Sequence, residues 1–145
     1  MADKSLIGRS LGVTTAEVEK GRLRFFAKAI GETNPVYSDE AAAKAAGYKS
    51  LPVPPTFLFC LQGEGRDLGE FLALLQWDLG RILHAEQEFS YHKPAVAGDV
   101  LTFDTRVADV YEKKGGALQF VVQDTRVTNQ DGEHIADLRC SLVQR

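Results

Sequence analysis

Apolar residues in the first third of the chain recur at the spacing of α-helices. Residues 14–30 hold one set of such positions: Val18, Leu23, Phe26 and Ile30. Thr15 is a suitable N-cap for them, so the pattern predicts a helix over residues 14–30. The alanine-rich segment "DEAAAKAAG" predicts a second helix, which Ser38 or Asp39 caps and Gly47 ends.

The pattern changes at the proline-rich segment "LPVPP", which predicts a rigid connector. The segment "TFLFCLQGEG" that follows is apolar on nearly all sides, which predicts a helix buried in the core. "DLGEFLALL" predicts a short helical extension. The two cysteines, Cys60 and Cys140, both lie among apolar residues, and we expect both side chains to be buried.

From Trp77 onwards the apolar residues follow the spacing of strands. "RILHAEQEFSYHK" alternates in part, and the alternation places His84 on the same side as Glu86 and Glu88. Three further strands are predicted from "VLTFDTRVADVYEKK", "ALQFVVQDTRVTNQ" and "EHIADLRCSLVQR". The "NQDG" turn between the last two is a hairpin signal, so we expect at least four long antiparallel strands.

Helices followed by hairpin-linked strands predict an α+β fold, in one domain over residues 1–145. A long antiparallel sheet wrapped around one central apolar helix is the hot-dog arrangement. The edge strands of such a sheet expose unpaired backbone groups. Because pairing two sheets into one covers those edges, we expect a dimer or a pseudo-dimer.

Composition and charge exclude several classes of function. Of 145 residues, 44% are hydrophobic and 26% are charged, and the net charge of −3 comes without a basic stripe. We therefore expect no binding of nucleic acid. The chain has no apolar run of about 18 residues and no apparent signal peptide, so we expect a cytoplasmic protein without membrane insertion. The cysteines and histidines lack metal-ligand spacing, and we expect no metal and no other cofactor.

Three motifs resemble those of a known family. "FAKAIGETNPVYSDEAAAKAAG" is similar to the hydratase motif of the MaoC-like (R)-specific enoyl-CoA hydratases and dehydratases. That motif reads Gly-Asp-x-Asn-Pro-(apolar)-His-x-Asp and precedes an alanine-rich helix. "YKSLPVPPTF" and "LHAEQEFSYHKPAVAGDVL" resemble the N-terminal dehydratase subdivision of the same superfamily. The likeness runs from about Ile7 to Leu142.

The resemblance implies a reaction that adds water to an enoyl thioester, or removes it, with an Asp/His pair as acid and base. In this chain Glu32 stands at the aspartate position and Tyr37 at the histidine position. Glu32 keeps a carboxylate on a longer side chain. A phenol with an ordinary pKa near 10 donates hydrogen bonds but is a poor base at neutral pH. Asn34 completes the candidate catalytic set, although Asn-Pro is also a turn signal.

The resemblance also implies residues that hold the thioester. In the family, backbone N–H groups at the start of the central helix polarise the thioester carbonyl, and the matching residues are Pro55, Thr56 and Phe57. Pro55 has no N–H to donate. Phe59 is a candidate for the wall of an acyl tunnel or for the core. His84 and His92 are candidate substrate contacts, with a structural hydrogen bond or a solvent-exposed turn as their alternatives. His134 is expected to be exposed.

Four functions stay open from the sequence. The first is an acyl-thioester-binding subunit that lacks the Asp/His pair and works with a catalytic hot-dog partner in fatty-acid-type metabolism. The others are a self-sufficient enoyl-CoA hydratase with Glu32 as its base, a hot-dog thioesterase and a plain acyl-CoA-binding module. The resemblance implies an acyl-CoA or acyl-carrier-protein thioester as the ligand. The assembly is expected to be a homodimer or a heterodimer with a second hot-dog subunit.

Overall fold

The computed structural model describes residues 3–145, which form a five-stranded antiparallel sheet and four α-helices. The helices are α1 (Lys20–Ala29), α2 (Glu40–Ala45), α3 (Phe57–Glu64) and α4 (Leu68–Leu75). The strands are β1 (Ser10–Glu17), β2 (Ile82–Tyr91), β3 (Val100–Lys113), β4 (Leu118–Thr128) and β5 (His134–Gln144). Short 3-10 turns lie at Lys4–Leu6, Pro35–Tyr37, Leu79–Arg81 and Lys114–Gly116. The strand order is β1-β3-β4-β5-β2, which confirms the predicted α+β hot-dog fold.

The main core forms between α3 and the inner face of the sheet. Leu58 and Leu61 of α3 are buried there together with Leu101 and Phe103 of β3, both fully inaccessible to solvent. Burial of side chains of this size contributes about 1.5–3 kcal/mol each. The predicted central apolar helix is therefore confirmed, and it fixes the position of the loop that precedes it.

The predicted helix over residues 14–30 is wrong in its first part. Thr14 pairs with Phe103 and Ala16 with Leu101, so this part of the chain is the edge strand β1, and the helix begins only at Lys20. β-branched residues favour a strand where a neighbouring strand offers pairing, and such pairing outweighs a weak helical preference. Gly12, with a φ of 100°, lies at the point where the register of β1 shifts.

A register shift in β2 overturns the predicted grouping of its side chains. His84 pairs with Leu142 and Glu86 with Ser141, so two residues of β2 face one residue of β5. The alternation of side chains changes frame at this bulge. His84 consequently turns towards α3, with its ring centroid 5.1 Å from that of Phe59, and does not share a face with Glu86.

The inner face also carries a buried polar group under α3. Gln62 Nε2 donates to Thr125 Oγ1 at 2.7 Å and to Thr105 Oγ1 at 3.3 Å. One turn further on, Arg66 Nη2 donates to Gln123 Oε1 at 2.5 Å. Because buried polar groups need partners, these bonds hold α3 in one position over β3 and β4.

The outer face of the sheet carries charges of alternating sign in two rows that run across the strands. The first row is Glu88, Arg139, Asp124 and Arg106, and the second is Asp137, Arg126 and Asp104. Arg139 binds Asp124 through two parallel hydrogen bonds of 2.7 Å, which raise the pKa of the guanidinium. We call these residues the outer charge rows.

The cysteines differ in environment. Cys140 is buried as expected, but Cys60 is exposed on the face of α3 that does not meet the main core, so that prediction is wrong for Cys60. The helix α3 is thus apolar on a side that the described chain leaves open. Within residues 3–145, no helix has the length and apolar character needed to cross a membrane.

Candidate active site

The loop between α1 and α2 contains the residues that match the hydratase motif. Glu32 Oε1 accepts a hydrogen bond from the backbone N–H of Asn34 at 2.8 Å, and Asn34 Oδ1 accepts from the N–H of Val36 at 3.2 Å. These bonds shape the turn that leads into the Pro35–Tyr37 segment. Both side chains are exposed, and both engage the backbone of their own loop.

Tyr37 is the member of the motif that lines a cavity. The cavity, which we call the Tyr37 cavity, has a volume of about 190 Å³ and lies beside the start of α3. Its walls are mainly apolar and come from several segments of the chain: Tyr37, Tyr48, Val53, Leu58, Tyr91 and Ile135. Burial, with smaller contributions from Tyr48 and Glu32, raises the pKa of the Tyr37 phenol. Tyr37 therefore remains a hydrogen-bond donor at neutral pH.

Tyr91, at the end of β2, also lines the Tyr37 cavity. Its hydroxyl donates a hydrogen bond to the backbone carbonyl of Pro55, which also lines the cavity. Burial, and secondarily the neighbouring Tyr37, raise the pKa of Tyr91 to about 12. Sequence reasoning did not select Tyr48 or Tyr91. Tyr91 is the tyrosine of the "SYHKP" stretch in the family motif, and that position could have pointed to it.

The start of α3 has only part of the donor set that the resemblance implies. The N–H of Phe57 donates to the carbonyl of Pro54 at 2.9 Å, and the Phe57 ring is buried 4.7 Å from the ring of Phe26. Thr56 is exposed, and its side chain makes no capping hydrogen bond. Of the predicted residues here, Thr56 is therefore available at the helix start, whereas Phe57 is part of the core.

Phe59 and His84 lie on a different surface, between α3 and β2. Phe59 is 42% exposed, and the surface around the pair is apolar, with Cys60, Leu68 and Leu142 among its residues. His84 Nε2 is 3.6 Å from Cys140 Sγ. Burial raises the pKa of Cys140 to about 11, so this thiol is not a reactive thiolate. Neither Phe59 nor His84 lines the Tyr37 cavity.

His92 follows β2 directly and also lies outside the Tyr37 cavity. Its Nε2 atom is 2.8 Å from Asp137 Oδ2, and Nε2 of His134 is 2.8 Å from Asp137 Oδ1. Burial opposes ionisation of Asp137, but the hydrogen bonds from His92 and His134 outweigh it and hold the pKa of the carboxyl below its ordinary value. The neighbouring Lys93 does line the cavity, where it pairs with Glu133.

Comparison with known proteins decides the family. Residues 5–138 match the family model described as "FAS1-like, dehydratase domain region". The chain belongs to this family. The resemblance to MaoC-like hydratases and dehydratases is therefore confirmed.

Relatives of the chain include a protein of similar length and chains of two solved complexes. A UPF0336 protein from Saccharopolyspora erythraea is 36% identical over 144 residues, covering 99% of this chain and 91% of that protein. The C-terminally truncated HadBC (3R-hydroxyacyl-ACP dehydratase) complex from Mycobacterium tuberculosis contains a chain that is 27% identical, with a TM-score of 0.79 over 94% of this chain and 96% of that chain. A chain of the ChsH1-ChsH2 complex from Mycobacterium tuberculosis shares the fold, with 24% identity and a TM-score of 0.75 over 94% of this chain and 88% of that one.

Proposed function

We propose that this chain is the acyl-thioester-binding subunit of an (R)-specific enoyl-thioester hydratase or (3R)-hydroxyacyl-thioester dehydratase. A second hot-dog subunit supplies the acid and base. One observation carries the proposal: the motif loop directs the Tyr37 phenol to the cavity, while the Glu32 carboxylate accepts a hydrogen bond from its own loop.

The chemistry of the Tyr37 cavity favours binding over catalysis. Hydration needs a group that accepts a proton from water at neutral pH. The ionisable residues that line the cavity are Tyr37, Tyr48, Tyr91 and Lys93. Tyr37 and Tyr91 have raised pKa values, and Lys93 is paired with Glu133. Within the described part of the chain, the cavity wall therefore contains no carboxylate and no imidazole.

The same cavity suits an acyl thioester. Val53, Leu58 and Ile135 form apolar walls for the acyl chain. Thr56, next to the cavity-lining Pro55, would hydrogen-bond a carbonyl oxygen through its N–H, assisted by the helix dipole. Tyr37 would add a phenolic donor from the cavity wall. These groups bind and polarise a thioester without moving a proton.

The partner is proposed to cover the outer edge of β2. In residues 3–145, β2 pairs only with β5, and its side chain Leu83 is 47% exposed. Phe59 of α3 packs against His84 of that strand and is itself 42% exposed. Edge-to-edge pairing with another hot-dog sheet would satisfy the backbone groups and bury these side chains. HadBC and ChsH1-ChsH2 are both named as complexes, which supports a partner subunit for this chain.

Binding and turnover of thioesters test the proposal separately. The pure chain is titrated with saturated acyl-CoAs by calorimetry, and hydration of crotonyl-CoA and longer enoyl-CoAs is followed by absorbance. We expect binding without hydration, and hydration once a hot-dog subunit with an intact Gly-Asp-x-Asn-Pro-x-His motif is added. Val53→Trp, which fills the cavity, should abolish binding, whereas Val13→Trp on the exposed part of β1 should not.

The alternatives give different results in the same assays. Hydration by the pure chain that is lost in Glu32→Gln but kept in Tyr37→Phe would establish the self-sufficient hydratase instead. Release of free CoA from acyl-CoA without hydration would indicate a thioesterase. Equal acyl-CoA affinity of Val53→Trp and the unaltered chain would remove the Tyr37 cavity from the function.

A further inference from the structure

Two of the three histidines of the chain meet one aspartate at the junction of β2 and β5. We propose that His92, His134 and Asp137 form a binding site for a divalent transition-metal ion, with Zn²⁺ as the best chemical match. The inference revises the expectation of no metal site, and it is independent of the proposed thioester function. The spacing of the three residues hides the site in the sequence, because 41 positions separate His92 from His134 (134 − 92 − 1).

Backbone hydrogen bonds hold the three residues together. The N–H groups of His92 and Lys93 both donate to the carbonyl of Ile135, at 2.9 and 3.2 Å, so the chain after β2 remains tied to β5. His134 begins β5, and Asp137 pairs with Ser90 of β2 in the same ladder. The ligand set thus rests on two hydrogen-bonded strands, which provide the rigid support that a metal site requires.

The donor atoms of the three residues lie close to one another. Nε2 of each histidine is 2.8 Å from a different oxygen of Asp137, and the three donor positions lie within 4.8 Å of one another. Ligands at about 2.0–2.1 Å from a tetrahedral Zn²⁺ are separated by about 3.3 Å. The two nitrogen–oxygen separations of 2.8 Å are therefore about half an ångström shorter than this spacing. The imidazole rings, with centroids 4.2 Å apart, converge on the carboxylate.

The donor types and the exposure of the site define the class of ion. Two imidazoles and one carboxylate suit Zn²⁺, Ni²⁺, Cu²⁺ or Co²⁺, whereas Ca²⁺ and Mg²⁺ prefer sets of oxygen ligands. The side chains of His92 and Asp137 are 44% and 48% exposed, so solvent can supply the remaining ligand. Three protein ligands with one open position form an exchangeable site rather than a closed structural one.

Neighbouring charges limit the affinity of the site. Arg126 of β4 pairs with Asp137 across the sheet and opposes the binding of a cation. Lys93 is adjacent, but Glu133 neutralises it through an ion pair, and Glu133 also accepts a hydrogen bond from Asn129. The charges around the site are therefore balanced, and we expect reversible binding that a chelator removes.

An ion at this position would join the end of β2 to the beginning of β5. The same end of β2 supplies Tyr91 and Lys93 to the wall of the Tyr37 cavity. Metal binding is therefore expected to stabilise the folded chain, because an ion that binds only the folded state raises the unfolding midpoint.

Titration of the tag-free protein with Zn²⁺ tests the site. We expect one ion per chain by calorimetry, a rise in the thermal midpoint, and visible absorption of bound Co²⁺ in the range typical of four-coordinate sites. His92→Gln and His134→Gln should each weaken Zn²⁺ binding by more than about tenfold, since even loss of an outer ligand partner has that effect. Circular dichroism confirms that both variants remain folded.

The third histidine provides the matched control. His84 lies next to Cys140 on the opposite face of the sheet, so His84→Gln should leave the affinity for Zn²⁺ and the Co²⁺ spectrum unchanged. Loss of binding in His84→Gln with retention in His92→Gln would place the ion at the His84–Cys140 pair and overturn the proposal. Absence of saturable Zn²⁺ binding by the folded, unaltered protein would also overturn it.

Discussion

At the scale of single residues, Tyr91 connects the end of β2 to the start of α3. Its hydroxyl donates to the Pro55 carbonyl, and its ring stacks on Phe89 with centroids 5.9 Å apart. Removing only the hydroxyl would keep the stacking on Phe89, but the Pro55 carbonyl would lose the hydrogen bond from Tyr91. The phenol thereby has a structural role in addition to its place in the cavity wall.

Tyr91→Phe is expected to lower the free energy of unfolding by about 1 kcal/mol, the usual net contribution of one hydrogen bond. Urea unfolding followed by circular dichroism measures the change. Tyr111→Phe is the control: Tyr111 also stacks on a phenylalanine, Phe120, but its hydroxyl has no hydrogen-bond partner among residues 3–145. Equal stabilities of the two variants would contradict a structural role for the Tyr91 hydroxyl.

The same hydroxyl predicts a pH dependence of stability at alkaline pH. Although 47% of Tyr91 is exposed, burial of its hydroxyl raises the pKa from 10.0 to about 12. The folded chain therefore holds this proton more tightly than the unfolded chain. The resulting stabilisation is complete below about pH 10 and is lost as the pH rises towards about 12.

Comparison with the phenylalanine variant isolates this effect from other titrating groups. The difference in unfolding free energy between the unaltered chain and Tyr91→Phe should shrink between about pH 10 and pH 12. A difference that stays constant across this range would show that Tyr91 titrates normally.

The sequence selected some residues of the motif loop and missed others of the cavity for a physical reason. Glu32, Asn34 and Tyr37 lie within one loop, so a local motif was sufficient to select them as candidates, and of the three Tyr37 lines the cavity. Tyr48 and Tyr91 lie on separate segments, and only the folded chain brings them to one cavity. Local patterns contain no information about such long-range contacts.

At the scale of elements, the polar group under α3 fixes the helix more specifically than its apolar packing does. Apolar contacts tolerate small shifts, but the bonds from Gln62 to Thr105 and Thr125 are satisfied in one position only. These hydrogen bonds therefore help to fix the position of α3 on the sheet, and with it the position of the helix start.

Thr125→Val, which keeps the shape of the side chain, is expected to lower the free energy of unfolding by about 1–3 kcal/mol because it leaves Gln62 poorly satisfied. Thr128→Val in the same strand is the control. The Thr128 hydroxyl has no hydrogen-bond partner in the described range, so its removal should change stability by less than about 0.5 kcal/mol. Urea unfolding of both variants measures the difference, and a neutral Thr125→Val would contradict the role of the polar group.

Two features of the elements were not predictable from periodicity. The stretch that forms β1 contains alanine and glutamate next to its threonines, and only pairing with β3 decides between strand and helix. The bulge in β2 leaves no mark in the alternation of its residues, because it depends on the register with β5. Both outcomes were set by partners that lie far away in the sequence.

At the scale of the whole molecule, the apolar side of α3 and the neighbouring edge strand β2 form one exposed surface. Phe59, the exposed Cys60 and His84 belong to this surface, and Leu83 is exposed on the same edge strand. The fold class was predictable because one strongly apolar helix and a series of hairpins admit few arrangements. For the assembly, the sequence predicted only that another subunit covers the edge of the sheet.

Phe59→Arg is expected to weaken association of this chain with the proposed catalytic hot-dog subunit by at least tenfold, because it places a charge in the centre of the proposed interface. Analytical ultracentrifugation measures the dissociation constant. Phe25→Arg is the matched control, since Phe25 is 76% exposed on α1 and lies outside this surface. Equal dissociation constants for the two variants would mean that the chains associate through another surface.

The outer charge rows restrict how this protein can change in evolution. Asp124 has Arg139 on one side and Arg106 on the other, so replacing it with arginine would set three like charges side by side. A simultaneous exchange of Asp124 and Arg139 would restore their pairing, but it would place the exchanged carboxylate beside Glu88 and leave the exchanged guanidinium beside Arg106. Accepted substitutions on this face are therefore expected in linked sets that cross several strands. In an alignment of relatives, the signs of the charges at these positions should therefore change together, even where the residue types differ.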